Sequence, residues 1–224
     1  MKPLTIVFCL PGNSFSGQFL ECWTELLAFC LSNNIRPVIS RKYSCNIYYV
    51  RNMCLGGDVA RGQGQKPFNG QIDYDYIMWI DSDIVFSPQQ FTRLLHHDKD
   101  IVSGLYLMEE GQLYATVKDW DEEFFLKQGY FRFLSPQDIQ DKSDLIEVAY
   151  TGMGCLLVKK GVYEKLEYPW FRPVEKRIGN MYDFTMEDVG FCLRIRDLGY
   201  KVYVDPGVRV GHEKKIVLLD NSQK

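Results

Sequence analysis

The segment Tyr76-Ile77-Met78-Trp79-Ile80-Asp81-Ser82-Asp83-Ile84-Val85-Phe86 sets two carboxylates two residues apart inside an otherwise apolar run. A run rich in Ile, Trp and Tyr predicts a buried strand. Carboxylates in such a place are costly without partners, and two together repel each other, so they call for a cation. If the strand continues through them, Asp81 and Asp83 point the same way and can share one ligand. Hard oxygen donors suit Mg2+ or Mn2+, with diphosphate oxygens completing the sphere. The alternative is a turn, since Asp and Ser are good turn residues.

A second acidic pair, Glu187-Asp188, opens a helical pattern that runs to Gly199. A carboxylate at a helix N-terminus can take a proton from a hydroxyl group. Equally, Thr185-x-x-Asp188 fits a capping box, and acids in the first turn complement the helix dipole. Of the three histidines, His96 and His97 fall at a helix C-terminus and suit the dipole there, whereas His212 follows a late apolar stretch.

The elements that must position these groups alternate. Strands are expected at 4–10, 35–40 and Tyr76–Ile80, with helices over 16–32 and 48–55 between them. Gly56-Gly57 stops the second helix, and 58–71 is Gly-rich loop. Ser87-Pro88-Gln89-Gln90 supplies an N-cap, a Pro at the first helical position and a Gln at the third. A strand at 101–107 follows, and 108–143, rich in charge and aromatics, reads as hairpins and loops covering a site. Strands at 147–150 and 155–158 flank Thr151-Gly152-Met153-Gly154; a short helix at 161–166, a helix over 185–198 and a strand at 201–204 complete the chain. Alternation of this kind predicts an α/β fold, a mostly parallel sheet with helices on both faces, and ligands beyond the carboxyl ends of the strands.

Bulk properties narrow the function. At 224 residues one domain can bury a large core. A formal charge of −3 argues against a nucleic-acid partner, and no run approaches the ~20 apolar residues of a membrane span. The seven cysteines form no C-x-x-C pair, which favours a reducing, cytoplasmic compartment over a disulfide framework. Thr151-Gly152-Met153-Gly154 begins like a dinucleotide fingerprint, but Leu157 stands where its third Gly belongs, which excludes that reading.

Taken in order, the motifs resemble those of GT-A fold, nucleotide-sugar-dependent glycosyltransferases. Tyr76–Phe86 resembles that family's strand ending in D-x-D; residues 185–200 resemble its acidic helix with an Arg and a closing Gly-Tyr; His212 resembles its third metal ligand. The resemblance implies a single GT-A domain over 1–224, with a nucleotide-binding half at 1–107 and an acceptor and catalytic half at 108–224. It implies transfer of a hexosyl or deoxyhexosyl group from a UDP-sugar to a glycan hydroxyl. Asp83 would be the principal metal ligand, with His212, and Asp81 would serve the nucleotide or the metal through water. An imidazole ligand favours Mn2+ over Mg2+. Glu187 or Asp188 would be the base if the reaction inverts configuration, and the two acids would position substrate if it retains. Pro11-Gly12, Ser40-Arg41, Arg51-Asn52 and Ser82 would meet the nucleotide, Arg51 through phosphate. Gly152 and Gly154 would allow close backbone approach to the donor sugar. Trp120, Tyr130, Phe131, Trp170 and Phe171 read singly as core packing and, as a group in the irregular part of the chain, as acceptor walls.

The chain also resembles, in overall look, a glycosyltransferase domain encoded by a large algal virus, which implies the host cytoplasm. Two alternatives stand beside this reading. A sugar-1-phosphate nucleotidyltransferase needs a Gly-rich basic signature after the first strand, which Pro11-Gly12-Asn13-Ser14-Phe15 lacks. A non-catalytic carbohydrate-binding domain would bind sugar without metal-dependent UDP binding.

Overall fold

In the computed structural model, which describes residues 2–215, the first half alternates as expected. It runs β1 (Leu4–Pro11), α1 (Gly17–Ser32), β2 (Ile35–Lys42), α2 (Ile47–Cys54), β3 (Tyr76–Ile80), β4 (Ile84–Val85), α3 (Pro88–His96) and β5 (Ile101–Leu105). The second half holds β6 (Thr116–Val117), α4 (Glu122–Gln128), β7 (Ile146–Val148), β8 (Tyr150–Thr151), β9 (Cys155–Lys159), β10 (Glu175–Ile178), β11 (Met181–Phe184), α5 (Glu187–Asp197), β12 (Val202–Arg209) and β13 (Gly211–His212).

Local signals start the helices where the sequence places them. The Ser16 hydroxyl accepts from the Phe19 N–H at 3.0 Å and caps α1. Ser87 and Gln90 close a reciprocal capping box around Pro88 at the head of α3. Asn46 caps α2 by accepting from the Tyr48 and Tyr49 amides. This cap holds the helix that carries Arg51.

The main sheet has the order β2-β1-β3-β9-β5-β12-β7. β1 pairs parallel with β2 and with β3, and β5 pairs parallel with β12; β9 and β7 run the other way. Both faces are covered. Ile6, Phe8 and Leu10 of β1 pack with Phe19 and Leu26 of α1 and with Phe91 and Leu94 of α3. Val7 and Cys9 face the opposite way and pack with Val50 and Cys54 of α2 and Phe191 and Ile195 of α5. The alternation along one strand thus feeds two cores. All seven cysteines are free, and no helix among the described residues is long and apolar enough to cross a membrane.

Four expectations are corrected. The strand does not continue through the acidic pair: β3 ends at Ile80, and the Ile84 N–H donates to the Asp81 carbonyl at 3.1 Å, closing a turn over 81–84. Residues 108–143 are not only hairpins and loops, because α4 lies within them, capped by Asp121 and ended by Gly129 at φ 80°. The segment 161–166 makes a single 3-10 turn, Tyr163–Lys165. Trp170 and Phe171 are fully buried, Phe171 packing edge-on to Trp79 5.4 Å away, so they belong to the core and form no acceptor wall.

Candidate active site

The turn after β3 splits the two acids. Asp81 turns toward α2, where Arg51 takes it in a two-pronged ion pair, Nη1 to Oδ1 at 2.5 Å and Nη2 to Oδ2 at 2.9 Å. The Arg51 Nε donates to Glu187 Oε1 at 3.4 Å, and the guanidinium lies over the Trp79 ring at 5.3 Å. Arg51 is 2 % exposed and Glu187 6 %. Burial alone would discharge an arginine, but the carboxylates of Asp81 and then Glu187 outweigh it and hold the charge firmly in place. Arg51 therefore joins the strand-end acid to a helix acid that lies 136 residues from Arg51 in sequence.

Asp83 turns the other way. β13 pairs antiparallel with β4, His212 opposite Ile84, which brings the imidazole back over the turn. His212 Nε2 lies 3.0 Å from Asp83 Oδ2, and Lys214 Nζ donates to the same oxygen at 3.2 Å. The second imidazole nitrogen, Nδ1, is 2.6 Å from the Leu107 carbonyl. A carbonyl only accepts, so Nδ1 carries hydrogen and Nε2 must meet Asp83 through either a proton or a cation. The hydrogen bond with Asp83 raises the His212 pKa, against the effect of burial. Burial pushes the Asp83 carboxyl up, but the His212 and Lys214 contacts outweigh it and leave it lowered.

This pair fits a divalent cation on its own geometry. An oxygen and a nitrogen about 3 Å apart span the edge between adjacent ligands of a cation about 2.1 Å from each. The Nδ1–H to carbonyl bond fixes the tautomer that a metal-bound His requires. Among the described residues, however, no three His, Cys, Asp or Glu side chains converge on one point. Asp81 is committed to Arg51 and is not a third member of the cluster.

The nucleotide candidates divide in two. Gly12 packs so closely on the turn that an added Cβ would lie 2.7 Å from the Ser82 Cβ, and its carbonyl accepts from Arg41 Nη1 at 3.1 Å. Pro11 at the end of β1, Gly12, Arg41, Ser82 and Asp81 therefore gather at the carboxyl ends of β1, β2 and β3, where α/β sheets bind ligands. Ser40 and Asn52 hold the scaffold. The Ser40 hydroxyl donates to the Cys54 carbonyl at 2.6 Å, and the Asn52 amide bonds both the Phe171 carbonyl and its N–H.

On the other side, the capping box at Thr185 does not form. The Thr185 hydroxyl accepts from the Val174 N–H at 3.2 Å, and Met186 stands at the N-cap without a side-chain bond. Asp188 Oδ1 accepts from the N–H of Val189 at 2.7 Å. Burial, and next the Glu187 charge, push its carboxyl up to about 7. Glu187 is thus spent on Arg51, and Asp188 is the acid with a pKa suited to moving protons.

Two residues join the site without a motif to announce them. The Tyr106 hydroxyl accepts from the Gly154 N–H at 3.2 Å, and its ring meets the His212 ring edge-on at 5.1 Å. The Tyr48 hydroxyl donates to the Thr185 carbonyl just ahead of the acidic pair. Gly152 and Gly154 are small because Tyr106 lies over them: a Cβ on Gly152 would fall 1.9 Å from the Tyr106 hydroxyl. Gly152→Ala should therefore cost about 1–3 kcal/mol of stability through overpacking. A thermal melt checks this, and an unchanged midpoint would show that Tyr106 moves aside freely.

No family model matches the sequence, and no curated protein does. Solved structures do match. A197 from STIV is 18 % identical at a TM-score of 0.51, over 99 % of this chain and all of that one. GalNAc-T7, solved with UDP, GalNAc and Mn2+, is 12 % identical at a TM-score of 0.50. The match covers 96 % of this chain and 44 % of the GalNAc-T7 chain. The class these likenesses define is a fold: the α/β, mostly parallel GT-A type of the glycosyltransferases.

Proposed function

We propose that the protein is a Mn2+-dependent glycosyltransferase that moves a sugar from a UDP-sugar donor to an acceptor hydroxyl. One observation carries the reading. Asp83 and His212, 129 residues apart, meet at 3.0 Å beyond the carboxyl end of β3, and Arg51 ties the same turn to the acidic helix. GalNAc-T7, whose fold the chain shares, was solved with UDP, GalNAc and Mn2+.

In this reading Asp83 and His212 hold the cation, with Mg2+ a poorer fit to the imidazole. When bound, Mn2+ supplies Lewis-acid stabilisation of the diphosphate leaving group. The other steps belong to the chain. Pro11, Gly12 and Arg41 line the nucleotide side, and Ser82 sets its side chain against Gly12. Lys214 stands beside Asp83 and adds positive charge where phosphate oxygens would lie. Arg51 fixes Asp81 and Glu187, which holds the turn and the helix in register. Asp188, at the head of α5, takes the proton of the acceptor hydroxyl in an inverting displacement.

A screen of nucleotide-sugars for slow hydrolysis in Mn2+ tests the reading, since hydrolysis needs no acceptor. Mn2+-dependent release of UDP from at least one donor is expected. Binding of UDP and Mn2+ with no turnover of any donor would overturn the enzyme reading.

The Asp188 carboxyl gives a pH prediction. A base with a pKa of about 7 is active when ionised, so kcat/KM should rise with pH through about 7 and level above it. Asp188→Asn should lower kcat by about 10^2–10^4-fold and remove that limb. The stability sign is opposite. A carboxyl whose folded pKa is raised makes folding take up a proton, so stability falls as pH rises from the ordinary carboxylate range to about 7. Asp188→Asn should therefore melt above the parent at pH 8 and show no such gain at pH 4. A parent profile flat from pH 5 to 9 would remove Asp188 from the base role.

A further inference from the structure

Beside the head of α5 lies a cleft of about 500 Å³ bounded by the β10–β11 hairpin and the aromatic cluster after β6. Thr185 and Val189, which bracket the acidic pair, are among its lining residues, so it lies next to Asp188. The Asp188 charge reaches Tyr150 in the cleft wall, adding to burial in raising that hydroxyl's pKa.

The walls are mostly aromatic and aliphatic, and several of their polar groups are partly engaged by neighbouring residues. Trp120 stacks on Phe131 with ring centres 4.2 Å apart, and its indole N–H donates to Glu122 at 3.0 Å. Asp183 accepts from the Phe184 N–H at 2.7 Å, Thr185 accepts from Val174, and the Tyr182 hydroxyl bonds Glu175. The groups of the cleft left to meet a ligand are few: the Lys176 amine, 5.7 Å over the Trp120 ring, the Tyr150 hydroxyl and the remaining accepting capacity of the Asp183 carboxylate. Phe184, 59 % exposed, and Tyr182, 67 % exposed, present apolar surface at the mouth.

A pyranose ring carries several hydroxyls, each of which loses a water partner on entering such a cleft. So few polar groups, set in a wall that Trp120, Phe125, Phe131, Ile178, Met181 and Phe184 make mostly apolar, cannot replace those partners over several rings. We propose that the cleft takes the apolar body of an amphipathic acceptor, an alkyl or aryl aglycone, whose hydroxyl-bearing head sits at Asp188. The aglycone supplies the binding area and Lys176 and Tyr150 orient the head. This inference takes Asp188 as the base in the glycosyltransferase reading above and narrows the acceptor from any glycan to one with an apolar aglycone.

Three ligands with one head test it: methyl, octyl and p-nitrophenyl β-glucoside, each below its micelle threshold, titrated into 15N-labelled protein with amide shifts as the readout. Octyl or p-nitrophenyl glucoside should bind at least about tenfold tighter than methyl glucoside, with shifts at Trp120, Lys176 and the hairpin. The tighter of the two identifies the aglycone as alkyl or aryl. Phe184→Ser, at an exposed position that leaves the core closed, should shrink the gap to about twofold. Equal binding of all three, or a preference unmoved by Phe184→Ser, overturns the inference. The donor-hydrolysis screen separates the two readings. Hydrolysis without aglycone preference sinks the acceptor inference alone, and preference without hydrolysis sinks the transferase reading alone.

Discussion

Asp83→Ala is expected to lower Mn2+-dependent UDP-sugar turnover by about 10^3-fold or more. That is the several kcal/mol a Lewis-acid cation contributes where charge gathers on a leaving group. The loss should come with the metal and not with the fold. The Asp83 side chain is 43 % exposed, and its partners are the His212 imidazole and the Lys214 amine. Calorimetry with UDP should show the Mn2+-dependent gain in affinity disappearing in the variant, while its melting temperature stays within a few degrees of the parent. His212→Gln should weaken Mn2+ in the same direction by a smaller factor, because one ligand and the substrate oxygens remain. Undiminished turnover in Asp83→Ala would sink the metal assignment. A collapse of the fold instead would mean that the pair is structural.

Arg51→Met is the second large effect, and it acts on stability before activity. The variant removes the guanidinium that touches Glu187, which is 6 % exposed, and the two-pronged partner of Asp81. Breaking one side of a buried ion pair typically costs about 3–5 kcal/mol, because the charge left behind has neither water nor a counter-ion. For a domain of this size that lowers the melting temperature by about 6–20 °C. Arg51→Met with Glu187→Gln should recover a good part of the loss, since the second change removes one stranded charge. Arg51→Lys is not a mild control, because an ammonium cannot make the two-pronged bond and the third contact together. A drop under 2 °C in Arg51→Met would show that the network bears no load.

Local signals were readable where a neighbour in sequence supplies the partner. The cap at Ser87 and the apolar run of β3 depend on residues within four positions and came out as expected. The D-x-D segment was located but its geometry was not, because a turn and a strand differ there by one backbone bond, Ile84 N–H to the Asp81 carbonyl. The resemblance sent Arg51 to phosphate; its Glu187 partner lies 136 residues away, and no local pattern encodes such a pairing. The capping motif at Thr185 lost because Val174, brought near by the β10–β11 hairpin, took the hydroxyl first. Tyr106 and Tyr48 had no motif, and only the small residues at Gly152 and Gly154 marked where a ring would lie. Strand direction was also hidden: Cys155–Lys159 is about as apolar as β3 and β5, to which it runs antiparallel, and composition does not say which way a buried strand runs.

The placement of β9 has a consequence for how the chain is made. Because it threads between β3 and β5, those two strands have no direct contact. On the ribosome both emerge first, each with a bare row of amides and carbonyls facing the gap, and they wait some fifty residues of synthesis for the filler. Such unpaired rims invite pairing with other nascent chains. The sheet cannot become continuous before β9 is made, so a break introduced between β5 and β9 leaves two fragments that must find each other to restore one surface.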